Sequence, residues 1–344
     1  MAAKIDVRKK ALLLEAGAIH LLSPDLLARV ERPSAGPDAG LRSLYLRFGR
    51  YRARMTVAQT PQETPFTLRK DGEGYTILRG ATPFLRKVAV ETPFLHTPHQ
   101  AFINLASPCI FDCKFCATPT LRARFMLQPD RVLALIRSAM SRERVEVIAL
   151  TSGVVGSERQ TIQLMIDVIR LIRAEMGSQI PIGVEPYVTT SGAIDDLYAA
   201  GANEVKVNVE SFDRAILRAV CPDLDGEKIR AAVEYAPQVF GRNRVCSNVV
   251  IGLGESDATV VEGLEGLAER GVVANLRPLR LNPRRQEALA AATRNQAARP
   301  SADRMLTLAL RYKAILDKYG LQTARFQTMC HRCTGCEITP QQDV

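Results

Sequence analysis

The sequence predicts an α/β protein: a partial, TIM-like (βα)6 barrel of parallel strands, a small N-terminal α+β cap and a cysteine-rich C-terminal extension. Three observations carry that expectation. Short apolar runs alternate with longer amphipathic stretches between residues 101 and 279. Before them, residues 41–57 and two shorter runs alternate apolar with polar side chains, a different period. Two cysteine triplets at metal-ligand spacing, Cys109/Cys113/Cys116 and Cys330/Cys333/Cys336, stand near the start of the alternating region and near the end of the chain.

Residues 5–31 read as helical, and PSAGPDAG (33–40) is a turn-rich break. The stretch 41–57, then FTLRK and GYTILRG, has the two-residue period of a small antiparallel sheet. Residues 1–98 are therefore expected to form a cap lying over the barrel.

The barrel is expected over 99–285. Its strand candidates are AFINLA (101–106), VEVIAL (145–150), PIGVEP (181–186), EVKVNVE (204–210), VCSNVVIG (245–252) and VVANLRPL (272–279). Between them lie helical stretches at 130–140, 158–176, 193–201, 225–239 and 258–271. Parallel strands need such crossovers, which usually contain a helix. On periodicity alone an open doubly wound sheet fits nearly as well. The remainder, 286–344, holds a last helix over 302–320 that ends at Gly320, then the second cysteine triplet.

A chain of 344 residues can bury a sizeable core, and 47 % hydrophobic with 24 % charged residues is ordinary for a soluble globular protein. No apolar run reaches the roughly eighteen residues of a membrane-spanning helix. The first twenty residues read as an amphipathic helix rather than a secretory signal, so the cytoplasm is the expected location. The net charge of +10 suits a solvated surface, a nucleic acid or an acidic protein partner. Nucleic acid ranks last, because there is no Trp, few aromatics and no dense basic run. An acidic protein would gain association rate from the complementarity.

Eight cysteines in a cytosolic protein are not expected to form a disulfide framework. Cys221 and Cys246 stand alone; the triplets carry the chemistry. In NLASPCIFDCKFCATPT, three thiols lie just past the first barrel strand, at the face where parallel barrels build active sites. Three ligands suit a four-iron cubane with one iron left open, whereas structural zinc wants four, and no fourth lies in the loop.

In the tail, MCHRCTGCEITP has the CxxCxxC spacing that wraps a cluster in bacterial ferredoxins. The alternatives are a disordered redox tail or a zinc knuckle using His331, whose place beside its own cysteine gives awkward geometry. Cys221, after the fourth strand, is within reach as a fourth ligand. Cys246, at the start of the fifth, reads as a small buried residue. A hydroxyl or an open iron are the other choices.

CxxxCxxC with Phe115 before the last cysteine resembles the signature of the radical S-adenosylmethionine (SAM) superfamily. The resemblance implies that Cys109, Cys113 and Cys116 hold a 4Fe–4S cluster whose open iron takes the amino-acid end of SAM. Reductive cleavage of SAM would then give a 5′-deoxyadenosyl radical able to abstract hydrogen from an unactivated carbon. Ser152 and Gly153 of LTSGVVG lie where the family's amino-group-binding GGE element falls, without its acidic residue. VVIGLGES resembles the adenine-contacting GxIxGxxE element, with Ile251, Gly252, Gly254 and Glu255. Glu185 and Glu210, at the ends of strands three and four, are candidates for the ribose or carboxylate side of SAM, or simply satisfied charges.

PSAGP, LTSGV, the Cys-Pro after strand four, RPLRLNP and CHRCTGCE together resemble the biotin-synthase-related group, which includes the two-protein lipoyl synthases. The single-chain lipoyl synthases place their extra cysteine motif at the N-terminus, and this chain does not. The resemblance implies an auxiliary 4Fe–4S cluster on Cys330, Cys333 and Cys336, with Cys221, consumed as sulfur donor. It also implies a second related subunit, an acidic octanoylated lipoyl-carrier protein, and an electron donor such as ferredoxin or flavodoxin. Arg277 and Arg280 would meet the carrier or the SAM carboxylate, or cap the barrel. The alternative activity is a radical SAM reaction on a small molecule (methylation, rearrangement or organometallic cofactor biosynthesis), with the auxiliary cluster binding substrate or relaying electrons. From another class, the rival is a metal-bearing nucleic-acid-binding protein.

Overall fold

A computed structural model describes residues 6–92 and 95–344. Helix α1 (Val7–Ala16) starts where the Asp6 carboxylate accepts from the Lys9 amide and stops at Gly17, whose φ of 67° suits glycine. The helix expected over 5–31 therefore ends early. Residues beyond Gly17 form strand β1 (Ala18–Leu21) and a short 3-10 turn at Pro24–Arg29. Then come β2 (Ser43–Phe48), β3 (Tyr51–Val57), β4 (Phe66–Asp71), β5 (Gly74–Arg79) and β6 (Thr82–Glu91).

The expected small antiparallel sheet is closed into a barrel in the order β1-β3-β2-β6-β5-β4. The closing piece is β1, which pairs in parallel with β3 through Ala18 and Thr56 and with β4 through His20 and Thr67. Ile19, Leu44, Leu46, Phe48, Phe66 and Ile77 fill its interior.

The second layer begins with β7 (Gln100–Asn104), followed by a minimal hairpin of β8 (Ala106–Ser107) with β9 (Phe125–Met126). From α2 (Pro129–Met140) onward the predicted alternation holds: β10 (Val147–Thr151), α3 (Glu158–Met176), β11 (Ile182–Glu185), α4 (Ser191–Ala199) and β12 (Glu204–Lys206). It continues through α5 (Arg214–Val220), α6 (Gly226–Phe240), β13 (Val245–Ile251), α7 (Asp257–Glu269) and β14 (Val272–Pro278). Ser157, Thr190, Asp225 and Ser256 cap the N-termini of α3, α4, α6 and α7 with side-chain oxygens, each worth about 1 kcal/mol.

The strand order is β7-β10-β11-β12-β13-β14, every pair parallel. A doubly wound sheet would reverse direction at a switch point. This one never does, so it is a partial (βα)6 barrel with β7 and β14 at its edges.

Three further helices follow: α8 (Gln286–Ala292), α9 (Ala302–Lys318) and α10 (Met329–Cys333). The segment expected as a C-terminal extension instead runs through the inside of the curved sheet. Buried Glu204 accepts from the Gln327 amide (2.9 Å), the Thr328 amide (2.9 Å) and the Thr328 hydroxyl (2.6 Å). Gly183 on β11 leaves the space: a Cβ there would lie 2.1 Å from Thr328 Oγ1. Asn275 on β14 donates to Glu337 Oε1 at 2.8 Å.

The N-terminal barrel packs against this tail. The Arg54 amide donates to the Gly335 carbonyl (2.7 Å), and Lys10 Nζ donates to the Thr334 carbonyl (2.6 Å) and pairs with Asp343 (2.5 Å). It also bridges the two sheet edges. The Tyr45 hydroxyl bonds His96 Nε2 (3.0 Å) ahead of β7, and the Arg54 carbonyl accepts from Arg280 (2.8 Å) beyond β14.

Candidate functional site

Cys109, Cys113 and Cys116 lie on the loop between β8 and β9, beyond the C-terminal end of β7, half-buried and free of disulfides. Backbone contacts fix the loop: Ile110 N donates to Val154 O (2.8 Å), Lys114 N to Val220 O (2.7 Å) and Cys116 N to Cys113 O (2.9 Å). Arg285, which the sequence did not single out, pins it from below. Its guanidinium donates to Asp112 Oδ1 (2.6 Å) and to the carbonyls of Lys114 and Cys113 (3.2 Å each). Gly153 lets the strand-two loop approach, since a Cβ would stand 3.1 Å from Ala106 O and 3.2 Å from Cys109 N.

Burial pushes the Cys109 thiol up and the Cys116 thiol up to about 12. Cys113 rises further, first because Cys221 lies beside it and then because it is desolvated. Thiols so placed give up their protons when a metal binds them as thiolates.

The second triplet meets the first. All six cysteines line one cavity of about 840 Å³, within the usual range for small-molecule sites. Cys330 Sγ lies 3.3 Å from Lys206 Nζ and 3.7 Å from Arg277 Nη1. Burial opposes ionisation of Cys336, but Arg277, Arg280 and Arg54 outweigh it and hold that thiol below its ordinary range. Burial raises Cys330 and Cys333. A cluster ligated by thiolates carries negative charge, so this ring of cations fits one. Among the described residues no three His, Cys, Asp or Glu side chains close on a single point one ion could occupy. The thiolates of a cubane reach separate irons.

Phe115, Ser152, Gly153, Glu185 and Glu210 line the same cavity. Glu185 Oε1 accepts from Asn208 (2.9 Å) and Asn248 (3.2 Å), and Oε2 pairs with Lys206 (2.9 Å). Glu210 takes φ 59°, uncommon for a residue with a side chain. Burial, reinforced by Glu185, raises its carboxyl to about 8.

Three expectations are corrected. Cys221 is not beside the tail: it packs with Cys113, Phe115 and Val250. Ile251, Gly252, Gly254 and Glu255 are not among the cavity's lining; Asn248 and Val250 are the residues of that strand that reach it. The Glu255 carboxylate is committed to the amides of Gly252 and Leu253 (2.7 Å each) and to Arg304 (2.8 Å), so it braces the loop. Arg280 is buried against Asp38 (3.3 Å), and Arg277 faces Cys330 and Glu337, so neither is turned outward toward a carrier. His331 stacks on Phe326, 3.4 Å from the Ala274 carbonyl, and is not among the cavity's lining. Lys206 and Asn208 were passed over. Yet Lys-x-Asn-x-Glu over 206–210 puts a polar side chain on every second residue of an otherwise apolar run, a readable sign of an inward polar row.

Residues 103–265 match the radical SAM superfamily, and the chain therefore carries a radical SAM domain. That family implies SAM and a 4Fe–4S cluster, which the three cysteines of the first loop fit. Over 98 residues the chain is 32 % identical to the ribosomal protein uS12 methylthiotransferase RimO of Chlorobium limicola, covering 27 % of this chain and 23 % of that protein. The match thus spans about a quarter of that relative's length. Among solved structures, a radical SAM methyltransferase from Sphaerobacter thermophilus is 18 % identical, with a TM-score of 0.48, over 75 % of this chain and 76 % of that one. The FeFe-hydrogenase maturase HydG from Carboxydothermus hydrogenoformans is 17 % identical, with a TM-score of 0.44, over 64 % and 56 %.

Proposed function

We propose that this radical SAM enzyme inserts sulfur at an unactivated carbon, with Cys330, Cys333 and Cys336 holding an auxiliary iron–sulfur cluster that donates it. The observation that carries this reading is the shared cavity: both cysteine triplets face one space of about 840 Å³. A centre meant only to relay electrons needs no such common chamber, whereas a sulfur donor must lie within reach of the carbon from which hydrogen was taken.

When bound at Cys109, Cys113 and Cys116, the SAM-ligated cluster supplies the radical chemistry. The chain's own residues do the rest. Ser152 and Gly153 border the first triplet closely enough to meet the amino-acid end of SAM. Glu210, neutral over part of the physiological range, has a proton to donate to a ligand oxygen. Tyr45 and Arg54, from the N-terminal barrel, wall off the second triplet from water.

The substrate suggested by the sequence resemblance is an octanoyl chain on an acidic lipoyl-carrier protein. In this reading the chain is one of two lipoyl synthase subunits and is reduced by a ferredoxin or flavodoxin. The excess of basic residues supports an acidic partner. A relative named as a methylthiotransferase supports sulfur chemistry in general. One observation favours a second reading, a small polar substrate: Glu31, Asp38, Arg54 and Arg280 line the cavity where an alkyl chain would want apolar walls.

The test is mass spectrometry of an octanoyl-lysyl carrier peptide incubated anaerobically with reconstituted protein, SAM and a strong reductant, with and without the partner subunit. A product heavier by sulfur, lost in Cys333→Ala, is expected. An unmodified peptide beside abundant 5′-deoxyadenosine would move the assignment to a small polar substrate.

A further inference from the structure

Lys206 ends β12 with a side chain only 1 % exposed. Its ammonium stands between the two cysteine triplets. On one side it is 2.9 Å from Glu185 Oε2, a carboxylate that shares its pocket with Cys109, Cys113 and Cys116. On the other it is 3.3 Å from Cys330 Sγ. The Phe102 ring lies beneath it, 5.9 Å from Nζ to the centroid. A buried ammonium is costly unless its charge is used, and Glu185 already accepts two amide hydrogen bonds.

The cations around the tail outnumber the carboxylates that pair with them. Arg54 and Arg280 share one carboxylate, Asp38 (3.6 and 3.3 Å), while Arg277 has Glu337 at 3.8 Å and Lys206 has Glu185. Four cations thus share three ion-paired carboxylates beside the second triplet, while Glu31 and Glu210 line the same cavity without an ion pair to any of the four. Lys206 and Arg277 are the two cations that touch a cysteine sulfur there.

We infer that Lys206 is a positioning residue that sets the reduction potential of the auxiliary centre, holding it high enough to accept an electron within the shared cavity. This rests on the reading that Cys330, Cys333 and Cys336 bind a cluster. The step is the transfer of one electron from a low-potential one-electron donor to that cluster, whose charge becomes more negative by one. A fixed cation 3.3 Å from a ligand sulfur favours the more negative state. Glu185, on the far side of the ammonium, acts in the opposite sense.

The test uses the full chain with Cys109, Cys113 and Cys116 all changed to Ala, so that only the auxiliary centre remains. This protein is reconstituted anaerobically and titrated electrochemically with mediators under EPR. In that background Lys206→Met is expected to disfavour the reduced state by tenfold or more, a fall in midpoint of about 59 mV for one electron. Lys206→Arg, which keeps the charge, is expected to stay near the parent, and Glu185→Gln to move upward. Equal midpoints in the parent, the Met variant and the Glu185→Gln variant would overturn the role of Lys206 while leaving the cluster in place. A background protein that binds no iron would instead overturn the auxiliary cluster itself. Should the Met variant fail to fold, the sign of the Glu185→Gln shift decides.

Discussion

Cys221 packs against Cys113 in one buried cluster, and its closeness is the first reason why the Cys113 thiol resists ionisation. The pair ties the first cysteine loop to the end of α5, alongside the bond from Lys114 N to Val220 O. Cys221→Ala is therefore expected to keep the iron and sulfide of the tail site, at a stability cost of about 1–2 kcal/mol. Changing Cys330, Cys333 and Cys336 together should remove about half of the protein's iron, as expected for two clusters of one size. Loss of tail iron from Cys221→Ala alone would return Cys221 to that ligand set.

Glu204 holds the tail inside the sheet through three hydrogen bonds and also pairs with Arg244 (3.1 Å). Glu204→Ala leaves the Thr328 and Gln327 amides without acceptors, and a loss of about 1–3 kcal/mol for each buried donor left unpaired is expected in urea unfolding. The same variant should lose auxiliary iron while keeping the cluster of the first loop. Equal loss from both sites would mean that Glu204 serves the fold as a whole.

Gly153→Ala puts a methyl group 3.1–3.3 Å from Ala106 O and the Cys109 backbone. Something must shift, at about 1–3 kcal/mol. The loop that yields carries Cys109, so SAM binding measured by equilibrium dialysis should weaken, about tenfold for each 1.4 kcal/mol transmitted. Unchanged SAM affinity with unchanged iron would show that the approach of the two loops is not critical.

Stability of the cluster-free protein should depend on pH through Glu210. Its carboxyl rises from an ordinary 4.5 to about 8, first through burial and then through Glu185, against Lys206 and Arg277. A raised carboxyl binds its proton more tightly when folded, so its contribution is whole below 4.5 and disappears as pH climbs through 8. His96 works from the acid side: burial lowers it to about 4, so stability falls as pH drops from 6.5 toward 4. Urea midpoints should lose this fall between about pH 4.5 and 8 in Glu210→Gln. An unchanged slope over that window would remove Glu210 as its source.

Local signals in the sequence were faithful where the chain obeys local rules. The stretch read as helical over 158–176 is α3 itself, because Ser157 caps its start and Gly177 follows its end. Strand β1 escaped notice because Ile19 and Leu21 extend the apolar pattern of α1, and only Gly17 marks the break. Both cysteine triplets were readable from spacing. That they face each other was not, since it depends on Glu204 and Asn275 reaching more than sixty residues along the chain to the tail. Glu255 misled for a related reason: a Gly-rich loop ending in an acid looks alike whether the acid meets a ligand or its own backbone.

Lys10 and Asp343 meet in a buried ion pair across 333 positions of sequence. During synthesis, Lys10 leaves the ribosome long before its partner exists. The N-terminal barrel and most of the parallel sheet can form as they emerge, but the seat of the second cysteine triplet is finished only when the tail arrives to fill it. Any group held by that triplet can be seated only after residues 327–343 have been made and have docked against Glu204 and Lys10.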